Sequence, residues 1–197
     1  MRALGRRGRP VVLVAVLVAT VTAAACGSSA SKTGRKSSTT TAATTESPMA
    51  MTLTSALFTD GQTIPTRSTC DGEGLSPPLA WTGQPAGTVE FALTTEDPDA
   101  PSGTFVHWVL WGVPASVHEL DEGVVPASAH EGVNGTGKRG YTGPCPPKGN
   151  APHHYVFTLY ALSRAVSVPD GATIAQLRSA MDGAVLAEGR LTGRYAR

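Results

Sequence analysis

Apolar residues along this chain fall into three regimes. From Val11 to Val21 they run without alternation, broken only by Thr20; from 27 to 50 they nearly vanish; from Met51 onward they gather in short runs between Pro, Gly and Asp. The third regime predicts the folded part. Met51, Leu53, Ser55 and Leu57 alternate with polar or small neighbours, which predicts a first strand. Thr88–Thr95, Phe105–Val113 and His154–Leu162 are rich in β-branched and aromatic residues and are bounded by turn residues, so each predicts a strand. Phe105–Val113 is apolar on both faces except at His107, the pattern of a strand buried inside a sandwich. Thr173 with Gln176 three places on forms a capping box, and Ile174, Leu177 and Met181 follow at helical spacing. Ala187–Arg197 predicts a closing strand with Gly189 and Gly193 inside it. The pattern predicts a mostly-β domain with one short helix.

The first two regimes predict something other than fold. Arg2, Arg6, Arg7 and Arg9 precede the apolar run, and Ala23-Ala24-Ala25-Cys26 follows it, which predicts a secretory signal peptide over residues 1–25. The run is too short to span a bilayer, which takes about 20 apolar residues. Small residues ahead of Cys26 resemble a bacterial lipobox, in which the cysteine is acylated and becomes the new N-terminus. Ordinary cleavage near Ala25 is the alternative, and the export route stays open. Residues 26–50 then read as a lipidated cysteine and a tether: Ser and Thr fill half of positions 27–50, and nothing there can build a core. The domain is placed at 51–197.

Composition sharpens the picture at two points. Positions 51–197 hold 13 of the 15 prolines and 18 of the 22 glycines, which favours strands joined by many turns. The same positions hold 9 Lys or Arg against 14 Asp or Glu, a net charge of −5 with histidines neutral. An acidic domain without a basic cluster has nothing to neutralise phosphate backbones, so a nucleic-acid partner is excluded.

Candidate chemistry lies in loops and at strand ends. Gly132 through Lys138 nearly spells a phosphate-binding loop, but Arg139 replaces the hydroxyl residue and Gly140-Tyr141-Thr142-Gly143-Pro144 cannot start the helix that such a loop requires. The segment reads as a flexible loop. Two other clusters are more informative. Asp97-Pro98-Asp99-Ala100-Pro101 follows a strand, with His107 ten residues beyond Asp97 inside an apolar run. A buried imidazole needs a hydrogen-bond partner, and a carboxylate nearby is the natural one. The second cluster joins the rigid loop Tyr141–Pro147 to His153-His154-Tyr155, where alternation sends His153 and Tyr155 to one face and His154 to the other. Such a loop can leave backbone N–H groups aimed at a ligand.

Asp97–Pro101 with Phe105-Val106-His107-Trp108, Gly143–Lys148 with His153-His154-Tyr155, and Cys70-Asp71-Gly72 leading to Ser76-Pro77-Pro78-Leu79-Ala80-Trp81 resemble the phosphatidylethanolamine-binding protein family, in its bacterial Raf-kinase-inhibitor-like branch. The resemblance runs from about Leu53 to Arg197. It implies a β-sandwich with one or two short helices and a small pocket for phosphate-like anions or phospholipid head groups. It also implies that Asp97, His107, His153 and Tyr155 line the pocket, with Pro101, Phe105, Gly143, Pro146 and Pro147 around them. In that arrangement Asp97 holds His107 in one tautomer, and the imidazoles and the phenol donate to an anionic oxygen. His154 stands where many members have Arg, and Phe105 where Trp is frequent. Cys70 and Cys145 fall within family loops, so a disulfide and two plain thiols both stay open; sequence alone cannot give their distance.

The expected function is therefore binding of a small anionic ligand or phospholipid head group by a lipid-anchored protein at the outer face of a membrane. An inhibitory role toward a secreted protease comes second, because no reactive loop is marked. An enzyme is the third reading, with Asp97, His107 and His153 as acid, base or metal ligands and Cys145 as the one conceivable nucleophile. The expectation is no catalysis, no cofactor and no metal.

Overall fold

Central strands that read apolar on both faces are covered on both faces. The computed structural model describes residues 49–197, and among these nine strands form two sheets. The larger is built from β1 (Met49–Ala50), β4 (Glu90–Asp97), β5 (Phe105–Pro114), β7 (His130–Glu131), β8 (His153–Leu162) and β9 (Val185–Tyr195) in the order β1-β9-β8-β4-β5-β7. The smaller holds β2 (Thr52–Thr54), β3 (Leu79–Thr82) and β6 (Glu119–Leu120) in the order β2-β3-β6. Pairing is antiparallel throughout except where β1 lies parallel to β9.

Successive side chains of a strand point to opposite faces. Phe91, Leu93, Trp108, Leu110, Phe157 and Leu159 meet Leu53, Leu79 and Trp81 of the small sheet in the main core. Ala92, Val109, Trp111 and Leu162 form a second core on the other face, beneath Leu177 and Met181 of the helix α1 (Ile174–Met181). That helix starts where the sequence places it: Gln176 N–H donates to Thr173 Oγ1 at 3.3 Å and Thr173 N–H to Gln176 Oε1 at 2.8 Å. The capping box satisfies two of the N–H groups that a helix start leaves unpaired. A three-residue 3-10 turn at Thr66–Ser68 is the second short helical element.

The mostly-β sandwich is as expected, with differences at its margins. The signal segment at 1–25, Cys26 and the tether as far as Pro48 lie outside the described residues. Among the described residues the first strand is Met49–Ala50, which pairs with Ala187 and Glu188. The first predicted strand shortens to Thr52–Thr54. β1, β6 and β7 hold two residues each, too few for a periodic pattern to show. At Gly193 of β9 an added Cβ would sit 2.3 Å from the Ile64 side chain, so glycine lets the Ile64 segment lie directly on that strand. The expected flexible loop after Glu131 is instead held in place. Asn134 donates to the Gly140 carbonyl at 2.9 Å and accepts from the Thr136 N–H and hydroxyl, while Gly135 N–H reaches the Val106 carbonyl at 2.7 Å.

Candidate functional site

The site forms where β8, β4 and β5, adjacent in the large sheet, meet at one end. β4 ends at Asp97, β8 begins at His153, and β5 begins at Phe105. A pairing irregularity aims the key ring. Glu96 pairs with Val106 and Thr95 with Trp108, so His107 is the extra residue of a β-bulge. Bulges re-aim a side chain that regular alternation would send elsewhere. His107 is then fixed at two points by one residue: its Nδ1 lies 2.7 Å from the Thr142 carbonyl, and its own carbonyl accepts from Thr142 N–H at 2.9 Å.

The buried carboxylate has a different partner from the one expected. Asp97 Oδ2 lies 2.8 Å from Nδ1 of His153, and its Oδ1 accepts from Asp99 N–H at 2.8 Å. Asp97 therefore orients His153, not His107; the bulge turns His107 toward the Thr142 carbonyl instead. Both acceptors are oxygens, so each ring carries its proton on Nδ1 and leaves Nε2 as the free nitrogen. Burial holds the His107 imidazole below its usual pKa, with the Thr142 carbonyl and the Asp97 charge offsetting only part of the effect. His154 faces outward as alternation requires. It pairs with Asp99 at 2.7 Å, and its backbone N–H and ring keep the Asp99 carboxyl below the ordinary range.

The opposite wall is the segment Tyr141–Pro147, braced from behind by residues 66–72. Cys70 and Cys145 are joined in a disulfide, which closes the question that sequence left open. Cys70 N–H donates to the Pro144 carbonyl at 3.0 Å, and the Tyr141 hydroxyl donates to the Ser68 carbonyl at 2.9 Å. Gly143 lies so close to Thr69 that a Cβ would come within 2.8 Å of its backbone. The end of the chain joins the brace: Tyr195 and Arg197 both bond the Asp71 carboxylate, and their hydrogen bonds hold its pKa down.

Together these elements enclose a cavity of about 260 Å³ lined by Asp97, Ala100, Pro101, Phe105, His107, Thr136, Thr142, Gly143, Cys145, Pro146, Pro147 and His153. That is slightly below the range of about 300–1,000 Å³ usual for ligand pockets, and suits a small group. Its one fixed charge is the Asp97 carboxylate, with no Lys or Arg in the lining. A wider trough lined by Asp99, Asn150, Pro152 and His154 adjoins it through His153.

Eight of the nine expected ligand-binding residues are brought together here. Tyr155 is the exception. It shares a face with His153 but lies one step deeper, 1% exposed in the main core, with its ring edge-on to His107 at 5.1 Å between centroids. Its hydroxyl has no hydrogen-bond partner among the described residues, and burial followed by the Asp97 charge pushes its pKa up. Thr136, Thr142 and Ala100 were not expected. Thr142 was legible only as part of a loop, and Thr136 sits in the glycine-rich segment that looked free. Cys145 lines the cavity as a disulfide sulfur, so it has no thiolate to offer as a nucleophile.

Comparison with known proteins converges on one family description. The family model described as "Phosphatidylethanolamine-binding protein" matches residues 54–196. The chain is 42% identical over 154 residues to the Mycobacterium tuberculosis protein named "Putative lipoprotein LppC", covering 77% of this chain and 76% of that one. It is 43% identical over 152 residues to a UPF0098 protein of Methanothermobacter thermautotrophicus, covering 75% and 99%. Among solved structures, Chlamydia trachomatis CT736 is similar with a TM-score of 0.71 at 39% identity, over 75% of this chain and 98% of that one.

Proposed function

We propose, since the chain belongs to the phosphatidylethanolamine-binding protein family, that the Asp97–His107–His153 cavity binds a small anionic ligand, a phosphate-like group or a phospholipid head group. The observation that carries this reading is the meeting of three ionisable side chains, distant in sequence, in one small cavity. Apolar walls from Pro101, Phe105, Pro146 and Pro147 exclude water, while Thr142 and the imidazoles offer the polar contacts that fix orientation. In a zwitterionic head group, Asp97 would meet the ammonium. We read the site as one for binding rather than turnover, with Cys145 held in its disulfide and no serine in the lining to act as a nucleophile.

The finer part of the proposal concerns place. The protein works outside the cytoplasm, tethered by lipid on Cys26, and belongs to the Raf-kinase-inhibitor-like branch that its motifs resemble. The lipobox-like segment supports this, as does the word lipoprotein in the name of the M. tuberculosis relative. The Cys70–Cys145 disulfide agrees with an oxidising compartment. Labelled palmitate should enter the protein and be lost in Cys26→Ala.

Calorimetric titration with phosphate, acetate and phosphoethanolamine tests the pocket. Binding of at least one is expected, with at least tenfold weakening in His107→Ala. Tighter binding of phosphoethanolamine than of phosphate would favour a lipid head group. Absence of heat with all three would end the reading.

A further inference from the structure

We propose that an anion enters this pocket together with a proton taken up on Nε2 of His107, so that ligand binding is obligatorily proton-linked. The proposal rests on the anion-binding reading above and concerns how that same site is regulated.

Geometry sets the starting state. A neutral imidazole has one N–H. In both rings it is committed at Nδ1, to the Asp97 carboxylate at 2.8 Å in His153 and to the Thr142 carbonyl at 2.7 Å in His107. Neither Nε2 has a hydrogen-bond partner among the described residues. The neutral His107 ring therefore offers the cavity a lone pair, and a lone pair repels an anionic oxygen. The lining's one carboxylate, Asp97, adds a negative charge. What remains as donors is modest: the Thr142 hydroxyl and the backbone N–H groups of Gly143 and Cys145, which have no backbone acceptor among the described residues. This is a poor host for an anion until His107 is protonated.

A proton on Nε2 of His107 makes two changes at once. An acceptor becomes a donor, and the charge of the lining rises by one. The added charge offsets that of Asp97. The bond from Nδ1 to the Thr142 carbonyl is kept, so the ring does not need to turn. Every titratable or charged group packed on these rings fits the scheme. His107 faces Asp97 from β4, His153 and the Tyr155 phenol from β8, and the Thr142 carbonyl from the wall. His153 faces Asp97, with Asp99 beyond it and His107 across the cavity. Burial disfavours charge on His107 in the empty pocket, and a bound anion offsets that cost.

Sulfate is the cleanest probe, because it carries no proton of its own between about pH 5 and 8. Calorimetry of the intact protein with sulfate, in buffers of different ionisation enthalpy, counts the protons taken up. The expected count is one per sulfate, with affinity falling about tenfold per pH unit once pH exceeds the titrating pKa. Inorganic phosphate and phosphoethanolamine, run above their own ionisation, should also take up protons; a smaller count for phosphoethanolamine would mark its ammonium as the partner of Asp97 and the head group as the source. In His107→Gln the sulfate affinity that remains should be independent of pH and bring no proton uptake. Long-range ¹⁵N NMR of the empty protein should find the His107 ring protonated at Nδ1 alone. Sulfate binding with no proton uptake and constant affinity across that pH range would overturn the proposal while leaving the pocket an anion site. Failure of all three anions to bind at any pH would remove both.

Discussion

Removing the disulfide should lower the melting temperature by an amount that its position in the chain sets. Cys70 and Cys145 are 75 residues apart, so the bond closes about half of the folded segment into one loop. In the chain-entropy account, a loop of that length removes about 15 cal/mol/K from the unfolded ensemble, or about 4.5 kcal/mol at 25 °C. Native contacts do not replace this. The Cys70–Pro144 and Tyr141–Ser68 hydrogen bonds hold the wall in the folded state but leave the unfolded chain unconstrained. A domain of about 150 residues unfolds with an entropy of about 0.3 kcal/mol/K, so the full effect corresponds to a loss of about 14 °C. Differential scanning calorimetry of Cys70→Ser/Cys145→Ser beside the oxidised parent measures it, and the reduced parent should melt with the double variant. A shift below about 3 °C would correspond to less than about 1 kcal/mol. That would refute the reasoning and mean that the loop is already closed in the unfolded state or that the bond strains the fold. A second readout separates stability from site. Cys145 lines the cavity, so anion affinity should also fall in the variant at temperatures where it remains folded.

Three further outcomes are expected. Gly135→Ala puts a Cβ 2.5 Å from the tip of the Phe105 ring, which can swing into the cavity. Calorimetry should show weaker ligand binding at a stability cost of about 1 kcal/mol, whereas Gly143→Ala meets immovable Thr69 backbone and should cost about 2–3 kcal/mol by urea denaturation. In ligand-free protein, His107 has a folded pKa below its ordinary value of 6.5, so between the two the unfolded chain binds more protons. Urea midpoints should hold level above that value and fall as pH drops below it, with a second loss below the ordinary 3.8 as the lowered Asp71 and Asp99 carboxylates protonate; in His107→Gln the first step should disappear. Thr173→Ala removes the helix cap and should cost about 1 kcal/mol without changing anion affinity, since α1 packs on the face of the large sheet away from the main core.

What was legible in the sequence depended on how many residues carried each signal. β4, β5, β8 and β9 have 8 to 11 residues each, enough for β-branched and aromatic runs to stand out, and the capping box marked α1 to the residue. β1, β6 and β7 are set by tertiary pairing and leave no periodic trace. The site was legible as a set of residues but not as a set of bonds. Period-two alternation placed His153 and His154 correctly, yet it says nothing about depth along the strand, and so Tyr155 was expected in the cavity rather than beneath it. Alternation also fails where a strand is irregular. The bulge at His107 depends on how β5 meets β4, a two-strand property that one strand's sequence does not carry, and it decides that Thr142 rather than Asp97 fixes that ring.

The same bulge ties the fold to the chemistry. Two imidazoles could have been held with Nε2–H toward the cavity, giving ready-made donors for an anion at any pH. Their Nδ1 atoms instead face a carboxylate and a carbonyl, and burial further disfavours charge on His107. Positions 51–197 are acidic as a whole, so no long-range field draws anions to the site. Affinity must then be generated inside the cavity, when protonation and occupancy happen together. Acid destabilises the empty domain by favouring a protonated His107 in the unfolded chain, while it strengthens binding to the filled one. A ligand present at a hundred times its dissociation constant stabilises by about 2.7 kcal/mol, so the pH dependence of stability should flatten or reverse when the pocket is occupied. That opposition is the physical consequence of placing a buried, bulge-held histidine where an anion has to sit.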